Sequence, residues 1–283
     1  MKIVFLGYDY TLDIAQRLIA DGHEIIHMFT FPCDGIFSFN TQIKSFAAHF
    51  DIPISEQKIT SSDIDKLIHQ GCKIFLCSGY PYKIPEIDNE KAYGLNIHPT
   101  LLPRIRGIMP LPFVIMHEPE SAGFTVHKLT TNFDAGDILY QEAIPIDKHT
   151  DVETLGARIA VRAPDAIAFI IKDIKNYWGN ATPQDHEKAS TYGIPDTKIR
   201  HLNWEDTAER LRLKGCAFGR FGVTATVTNN MNEAQTLAVF QFTTWKETHT
   251  HPAGTLLRSS AREIIISIQD GYACLKEFQV IES

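Results

Sequence analysis

Apolar residues fall along this chain in runs and stripes whose spacing assigns secondary structure. Ile3-Val4-Phe5-Leu6 is a continuous apolar run closed by Gly7. Ile14, Leu18 and Ile19 follow at helical spacing, Gly22 stops them, and Glu24 to Phe29 is apolar again. Run, stripe and run predict β-α-β, the opening of a parallel sheet with helices on its faces. Helical spacing returns at Ile43, Phe46, Ala47 and Phe50, and again at Ile64, Leu67 and Ile68. Lys73-Ile74-Phe75-Leu76-Cys77 then predicts a buried strand. The first turn lacks G-x-G-x-x-G, so the pattern does not extend to a nicotinamide site.

Further strands are predicted over Tyr93–His98, Gly123–Leu129 and Ile138–Ile146. Thr150-Asp151-Val152-Glu153 has the form of a capping box opening a long helix towards Trp178, which Pro164 is expected to kink or break. Residues 181–200 are polar and broken by proline and glycine, the composition of a linker. Beyond them a helical stretch, Glu205–Leu213, precedes β-branched and aromatic runs at Gly222–Thr228, Leu237–Trp245, Thr255–Arg258, Glu263–Gln269 and Tyr272–Ile281. Asn229-Asn230 and Asp270-Gly271 are turn signals between them. The expected organisation is an open, mostly parallel α/β sheet with helices on both faces over 1–180, a linker over 181–200, and a small β-barrel-like domain over 201–283.

Charge narrows the function. The chain has 27 Lys and Arg against 34 Asp and Glu, a net charge of −7. Residues 200–283 hold nine basic and nine acidic side chains, so the whole excess falls on the first 199. A broad electrostatic grip on nucleic acid or an anionic membrane is not expected. The five cysteines stand at scattered positions with no C-x-x-C pair and no Cys/His spacing for a metal, and they read as free thiols of a reducing compartment. The opening apolar run is too short for a signal peptide and no run reaches a membrane span, so a cytoplasmic protein is expected. His249 and His251, in an exposed polar loop, are assigned no chemistry.

The segment richest in chemistry is Gly94-Leu95-Asn96-Ile97-His98-Pro99-Thr100-Leu101-Leu102-Pro103-Arg104-Ile105-Arg106-Gly107. Asn96 and His98 are two apart on a predicted strand and share a face, and Pro99 ends the strand there. Carboxyl ends of strands are where open α/β sheets bind ligands. An amide beside an imidazole can polarise a carbonyl and manage a proton, although N-x-H alone also describes an ordinary hydrogen-bonded histidine. Asp134, two residues before Gly136 between strand-like runs, is either a plain turn residue or a carboxylate brought back to His98.

Taken together, the two segments resemble the 10-formyltetrahydrofolate-dependent formyltransferases, a family including methionyl-tRNA formyltransferase-like and sugar N-formyltransferase-like enzymes. The family string N-x-H-x-S-L-L-P with a following R-G is matched by Asn96 to Pro103 and Arg106-Gly107, and its D-T-G-D element by Asp134-Ala135-Gly136-Asp137. Thr100 and Ala135 depart from it. The resemblance covers 1–180 as the Rossmann-like catalytic domain and, more loosely, 201–283 as an OB-like C-terminal domain. It implies Asn96, His98 and Asp134 as the catalytic set and 10-formyltetrahydrofolate as co-substrate, with no metal. An amine would attack the formyl carbon, Asn96 and protonated His98 would donate to the oxyanion, and Asp134 would keep His98 charged. Ser78, Tyr80, Tyr82, Lys83, Ile84, Leu129 and Asn132 are the implied folate contacts. Thr100, Arg104 and Arg106 are the implied acceptor contacts.

For the acceptor, residues 31–44 stand where the tRNA enzymes of the family carry a basic loop, and here contain one lysine and one aspartate. A small-molecule amine is expected, a nucleotide-linked amino sugar first, with a peptide, amino-acid or siderophore amine also open. Initiator tRNA is the named alternative. Hydrolysis of the formyl donor and a non-catalytic folate or nucleotide binder are the rival functions. A homodimer is possible within the family, and a membrane partner is not expected.

Overall fold

A computed structural model of the protein describes residues 1–33, 38–228 and 233–281. The chain opens with β1 (Lys2–Leu6), α1 (Leu12–Ala20), β2 (Glu24–Phe29), α2 (Thr41–His49), β3 (Ile54–Ser55), α3 (Ser61–His69), β4 (Cys72–Ser78) and β5 (Tyr93–His98). There follow α4 (Leu111–Met116), β6 (Gly123–Lys128), β7 (Ile138–Ala143), α5 (Val152–Lys172) and α6 (Ile174–Gly179). Two compact units result, one of Met1–Pro110, Glu120–Pro145 and Gly156–Tyr192, the other of Leu111–Pro119, Ile146–Leu155 and Gly193–Ser283.

The first unit holds a seven-stranded sheet in the order β3-β2-β1-β4-β5-β6-β7. The strands are parallel as far as β5, while β6 and β7 are antiparallel. Ile3, Val4, Phe5 and Leu6 of β1 and Ile74, Phe75 and Leu76 of β4 are all fully buried. A strand covered on both faces has no use for polar alternation, which is why these two read as unbroken apolar runs. Helices cover the sheet through single stripes: Ile64 and Leu67 are the buried face of α3, which Thr60 caps by accepting from Asp63 N. β5 meets β6 with Asn96 opposite His127 and His98 opposite Thr125.

Three local expectations change. The helix over 152–172 runs unbroken through Pro164, and the interruption falls at Asp173. Ile159, Ala163, Ile167, Ile170 and Ile171 are buried on either side of the proline, and this packing outweighs one lost amide bond. The cap is Asp151, whose Oδ1 accepts from Thr154 N at 2.7 Å, whereas the Thr150 hydroxyl donates to Asp147 at 3.0 Å. Residues 182–192 are built into the first unit: Thr182 and Ile138 exchange two backbone hydrogen bonds of 2.8 and 2.9 Å.

The second unit adds α7 (Thr197–Arg200), β8 (His201–Leu202), α8 (Ala208–Phe218), β9 (Val223–Thr228), β10 (Ala234–Lys246), β11 (Leu256–Ser259), β12 (Ile264–Ile268) and β13 (Gly271–Val280). Its six strands follow the order β11-β12-β13-β10-β9-β8 and close over Leu211 and Phe218 of α8, which pack with Val223, Leu237, Ile266 and Leu275. Helix α8 begins at Ala208 because the Thr207 hydroxyl accepts from Arg210 N. Asp270-Gly271 makes the β12–β13 turn, while Asn229-Asn230 lies outside the described residues. Among the described residues no helix is long and apolar enough to cross a membrane.

Candidate active site

The candidate chemistry gathers at the carboxyl end of β5, wholly within the first unit. Asn96 and His98 leave the strand on one face, and the antiparallel register of β6 sets His127 against Asn96 on that same face. The turn after β6 carries Asp134 to them across 38 positions of sequence from Asn96. Asp134 Oδ1 lies 3.4 Å from His98 Nδ1, 3.3 Å from Asn96 Nδ2 and 3.7 Å from His127 Nε2. Its other oxygen accepts from Gly107 N at 3.0 Å.

Backbone geometry makes this convergence possible. Asp134 has φ of 52° and Ile105 has φ of 53°, both left-handed. Gly136 follows Asp134 because a Cβ there would sit 1.9 Å from Lys128 O. His98 Nε2 lies 2.9 Å from Ile105 O, and since a carbonyl only accepts, that nitrogen carries a proton. The imidazole therefore stands between a carbonyl on one side and a carboxylate on the other.

Burial alone would raise the Asp134 carboxyl. The charge of His98, with the contacts from His98 and the Gly107 amide, overcomes it and holds Asp134 far below the usual carboxylate range. His127 Nε2 lies 3.7 Å from the same carboxylate and 3.0 Å from the Asn96 amide. His98 and Asp134 are 4% and 8% exposed, whereas Asn96 is half-buried and forms the solvent side of the cluster. The arrangement can present an amide N–H to a substrate carbonyl with a paired charge behind it. Cys77, at the end of β4, is not a nucleophile, since burial pushes its thiol up to about 12.

The remaining expected contacts divide. Thr100 is fully buried and its hydroxyl donates to Arg104 O at 2.9 Å, so it shapes the loop rather than facing a substrate. Arg104 pairs with Glu120 at the surface. Arg106 Nη2 donates to Gln184 Oε1 at 2.6 Å and meets His186 Nδ1 at 3.0 Å, while its buried Nε is without a protein partner. Tyr80 and Ile84 belong to the core beneath the sheet, and Tyr80 Oη accepts from Ile59 N at 3.1 Å. Tyr82 stands edge-on to Tyr80 with Lys58 over its ring. Ser78 is buried at the end of β4 and its carbonyl accepts from Thr11, Leu129 is half-buried, and Lys83 and Asn132 are exposed. His127, Gln184 and Ser190 also belong to the cluster. Alternation along Gly123–Lys128, which puts Thr125 and His127 on one face, is the signal that finds His127.

An asparagine, a histidine and an aspartate converge at the end of a parallel strand, and residues 72–170 match the formyl transferase family. That segment includes Asn96, His98 and Asp134, and the match supports an N-formyltransferase. The methionyl-tRNA formyltransferase of Staphylococcus aureus (strain MW2) is 22% identical over 289 residues, covering 99% of this chain and 91% of that protein. The N-formyltransferase from Helicobacter canadensis, solved with folinic acid and dTDP-3-aminofucose, superposes with a TM-score of 0.67 at 16% identity, covering 98% of this chain and 99% of that one. HypX from Aquifex aeolicus, solved with tetrahydrofolic acid, gives a TM-score of 0.67 at 17% identity; the match covers all of this chain and 44% of HypX.

Proposed function

We propose that the protein moves the formyl group of 10-formyltetrahydrofolate to the primary amine of a small molecule, a nucleotide-linked amino sugar being the first candidate. The observation that carries the chemistry is the convergence of Asn96, His98 and Asp134, with only Asn96 open to solvent. The co-substrate supplies an electrophilic formyl carbon. Asn96 Nδ2 gives up its 3.3 Å contact with Asp134 Oδ1 and donates to the formyl oxygen as negative charge grows there. His98, paired with Asp134, stabilises that charge from behind; both of its ring nitrogens already face protein acceptors, so its effect is electrostatic unless the bond to Ile105 opens. The amine proton passes through water and Asp134 to N10, which leaves protonated as its bond to the formyl carbon breaks.

The acceptor reading rests on charge. A tRNA-sized polyanion needs clustered Lys and Arg, and residues 200–283 are neutral while the rest of the chain is acidic. The stretch 31–44 supports it by composition, although positions 34–37 lie outside the described residues. The length-wide match to methionyl-tRNA formyltransferase favours initiator tRNA as the second reading. Incubation with 10-formyltetrahydrofolate and a panel of amino-sugar nucleotides, amino acids and Met-tRNA, read by a mass gain of one CO unit, separates them. Gain on Met-tRNA alone overturns the small-molecule reading. Folate release with no amine present would make the protein a hydrolase.

A further inference from the structure

The two left-handed residues that bracket His98 are each held by the same polar segment. Ile105 offers its carbonyl to His98 Nε2, and its own amide donates to Ser190 Oγ at 2.8 Å. The neighbouring Arg106 N donates to Ser190 O at 2.9 Å, and Tyr192 N donates to Arg106 O at 3.0 Å. Asp134 offers its carboxylate to His98 Nδ1, and its own carbonyl accepts from Gln184 Nε2 at 2.9 Å. The same Nε2 reaches Gly136 O at 2.7 Å, and Gln184 Oε1 accepts from Arg106 at 2.6 Å. Gln184 is 6% exposed, so its amide is buried with every one of these bonds made away from water.

Left-handed φ is costly for an ordinary side chain and more so for a β-branched one, and it persists only where the surroundings over-determine it. Ile105 is β-branched, fully buried, and at φ 53°. Asp134 is at φ 52°. Relaxation of either would withdraw the carbonyl or the carboxylate from its side of the imidazole. We infer that residues 182–192 act as a positioning strap, in which Ser190 fixes Ile105 and Gln184 fixes Asp134 so that the His98 ring is held between two acceptors. This rests on the reading of His98 and Asp134 as the pair that carries formyl transfer. Gln184 and Ser190 touch no substrate; they act through the backbone of the residues that orient the ring.

The test uses the full chain labelled with 15N-histidine, with the His98 ring N–H signals assigned by His98→Gln. Besides Asp134, the polar groups facing the ring region are Asn96, His127 and, through Asp134, Arg106, and none of them is altered. Ser190→Ala should speed water exchange of the His98 Nε2 proton at least tenfold and lower kcat about tenfold at unchanged KM for the formyl donor, as expected for one lost hydrogen bond. Ser190→Thr, which keeps the hydroxyl, should restore both. Gln184→Leu should lower kcat by ~10²-fold, the scale of a small misplacement of reacting groups. In an Asp134→Asn background neither change should lower the rate further, because the pair it serves is already lost. Unchanged His98 signals and kcat in Ser190→Ala and Gln184→Leu overturn the strap. So does a loss that Ser190→Thr does not rescue, or one additive with Asp134→Asn. Altered His98 signals in a protein that transfers no formyl group to any amine would leave the strap standing and remove the proposed function.

Discussion

Asn96 and His127 stand directly opposite each other across the β5–β6 ladder, with Asn96 Nδ2 3.0 Å from His127 Nε2. The other ring nitrogen of His127 lies 2.9 Å from Lys128 O, which can only accept, so Nδ1 carries the proton and Nε2 presents its lone pair. His127 thereby fixes which way the Asn96 amide points. Its N–H side faces His127 and Asp134.

His127→Leu should therefore lower kcat about tenfold, the scale of one hydrogen bond to a positioned group. His127→Gln, which keeps an acceptor, should recover most of it. Steady-state kinetics on both variants decide; equal rates for Leu and wild type would remove His127 from the site.

Asp134→Asn preserves shape and deletes the charge. Turnover should fall by about 10³–10⁴-fold, as when the orienting carboxylate of a histidine is replaced elsewhere. Binding of tetrahydrofolate, measured by calorimetry, should survive. Asn96→Ala removes the proposed oxyanion donor and should cost about 10²–10³-fold. Near-wild-type single-turnover rates in either variant contradict the assigned roles.

The pH dependence of stability has a definite sign. The Asp134 carboxyl is held lower in the folded protein than in the unfolded chain. Its stabilisation is complete above the unfolded value of about 3.9 and is lost as pH falls towards the folded one. The gap in melting temperature between wild type and Asp134→Asn should therefore narrow as pH falls below about 4. A gap that narrows on going from pH 8 to 6 would assign the effect to another group.

Gly136→Ala tests the turn itself. Its Cβ would meet Lys128 O at 1.9 Å, backbone against backbone, so the turn must move. We expect a loss of roughly 2–4 kcal/mol in urea melts, within the range of severe single substitutions. Activity should fall with it, since Asp134 rides on the same turn.

Salt separates the two acceptors. Activity on a small amine should change little between about 50 and 200 mM salt, whereas a tRNA acceptor held through many phosphates loses affinity by orders of magnitude over that range. Initial rates across a potassium chloride series provide the measurement.

The sheet is legible in sequence where burial is two-sided. Ile3–Leu6 and Ile74–Cys77 have nothing to alternate against, so their runs announce central strands. Asn96 and His98 are legible for a different reason: two polar side chains at period two, stopped by Pro99, interrupt an apolar strand. His127 is harder, because its value depends on the register of β6 on β5, a property of two strands. Gln184 and Ser190 are invisible to composition. A polar residue among Asn, Pro, Asp and His looks like one more solvated side chain until the backbone it satisfies is placed beside it. Thr100 errs in the other direction, being a hydroxyl beside the Asn96–His98 string that the fold turns inward. Pro164 misleads because helix packing is decided by a whole buried face and proline removes a single rung.

The paired hydrogen bonds between Thr182 and Ile138 have an effect that reaches past the site. β7 is the outermost strand of the large sheet, and an outermost strand offers unpaired amides and carbonyls on which another chain can template. Thr182 closes part of that row with a stretch of chain whose next residues, Pro183 and Gln184, cannot extend it as a strand of their own, since Pro183 has no amide to give. Loosening residues 182–192 would thus uncover an edge as well as slacken a turn. Variants that impair the enzyme there should be the ones that also form intermolecular β-structure on storage.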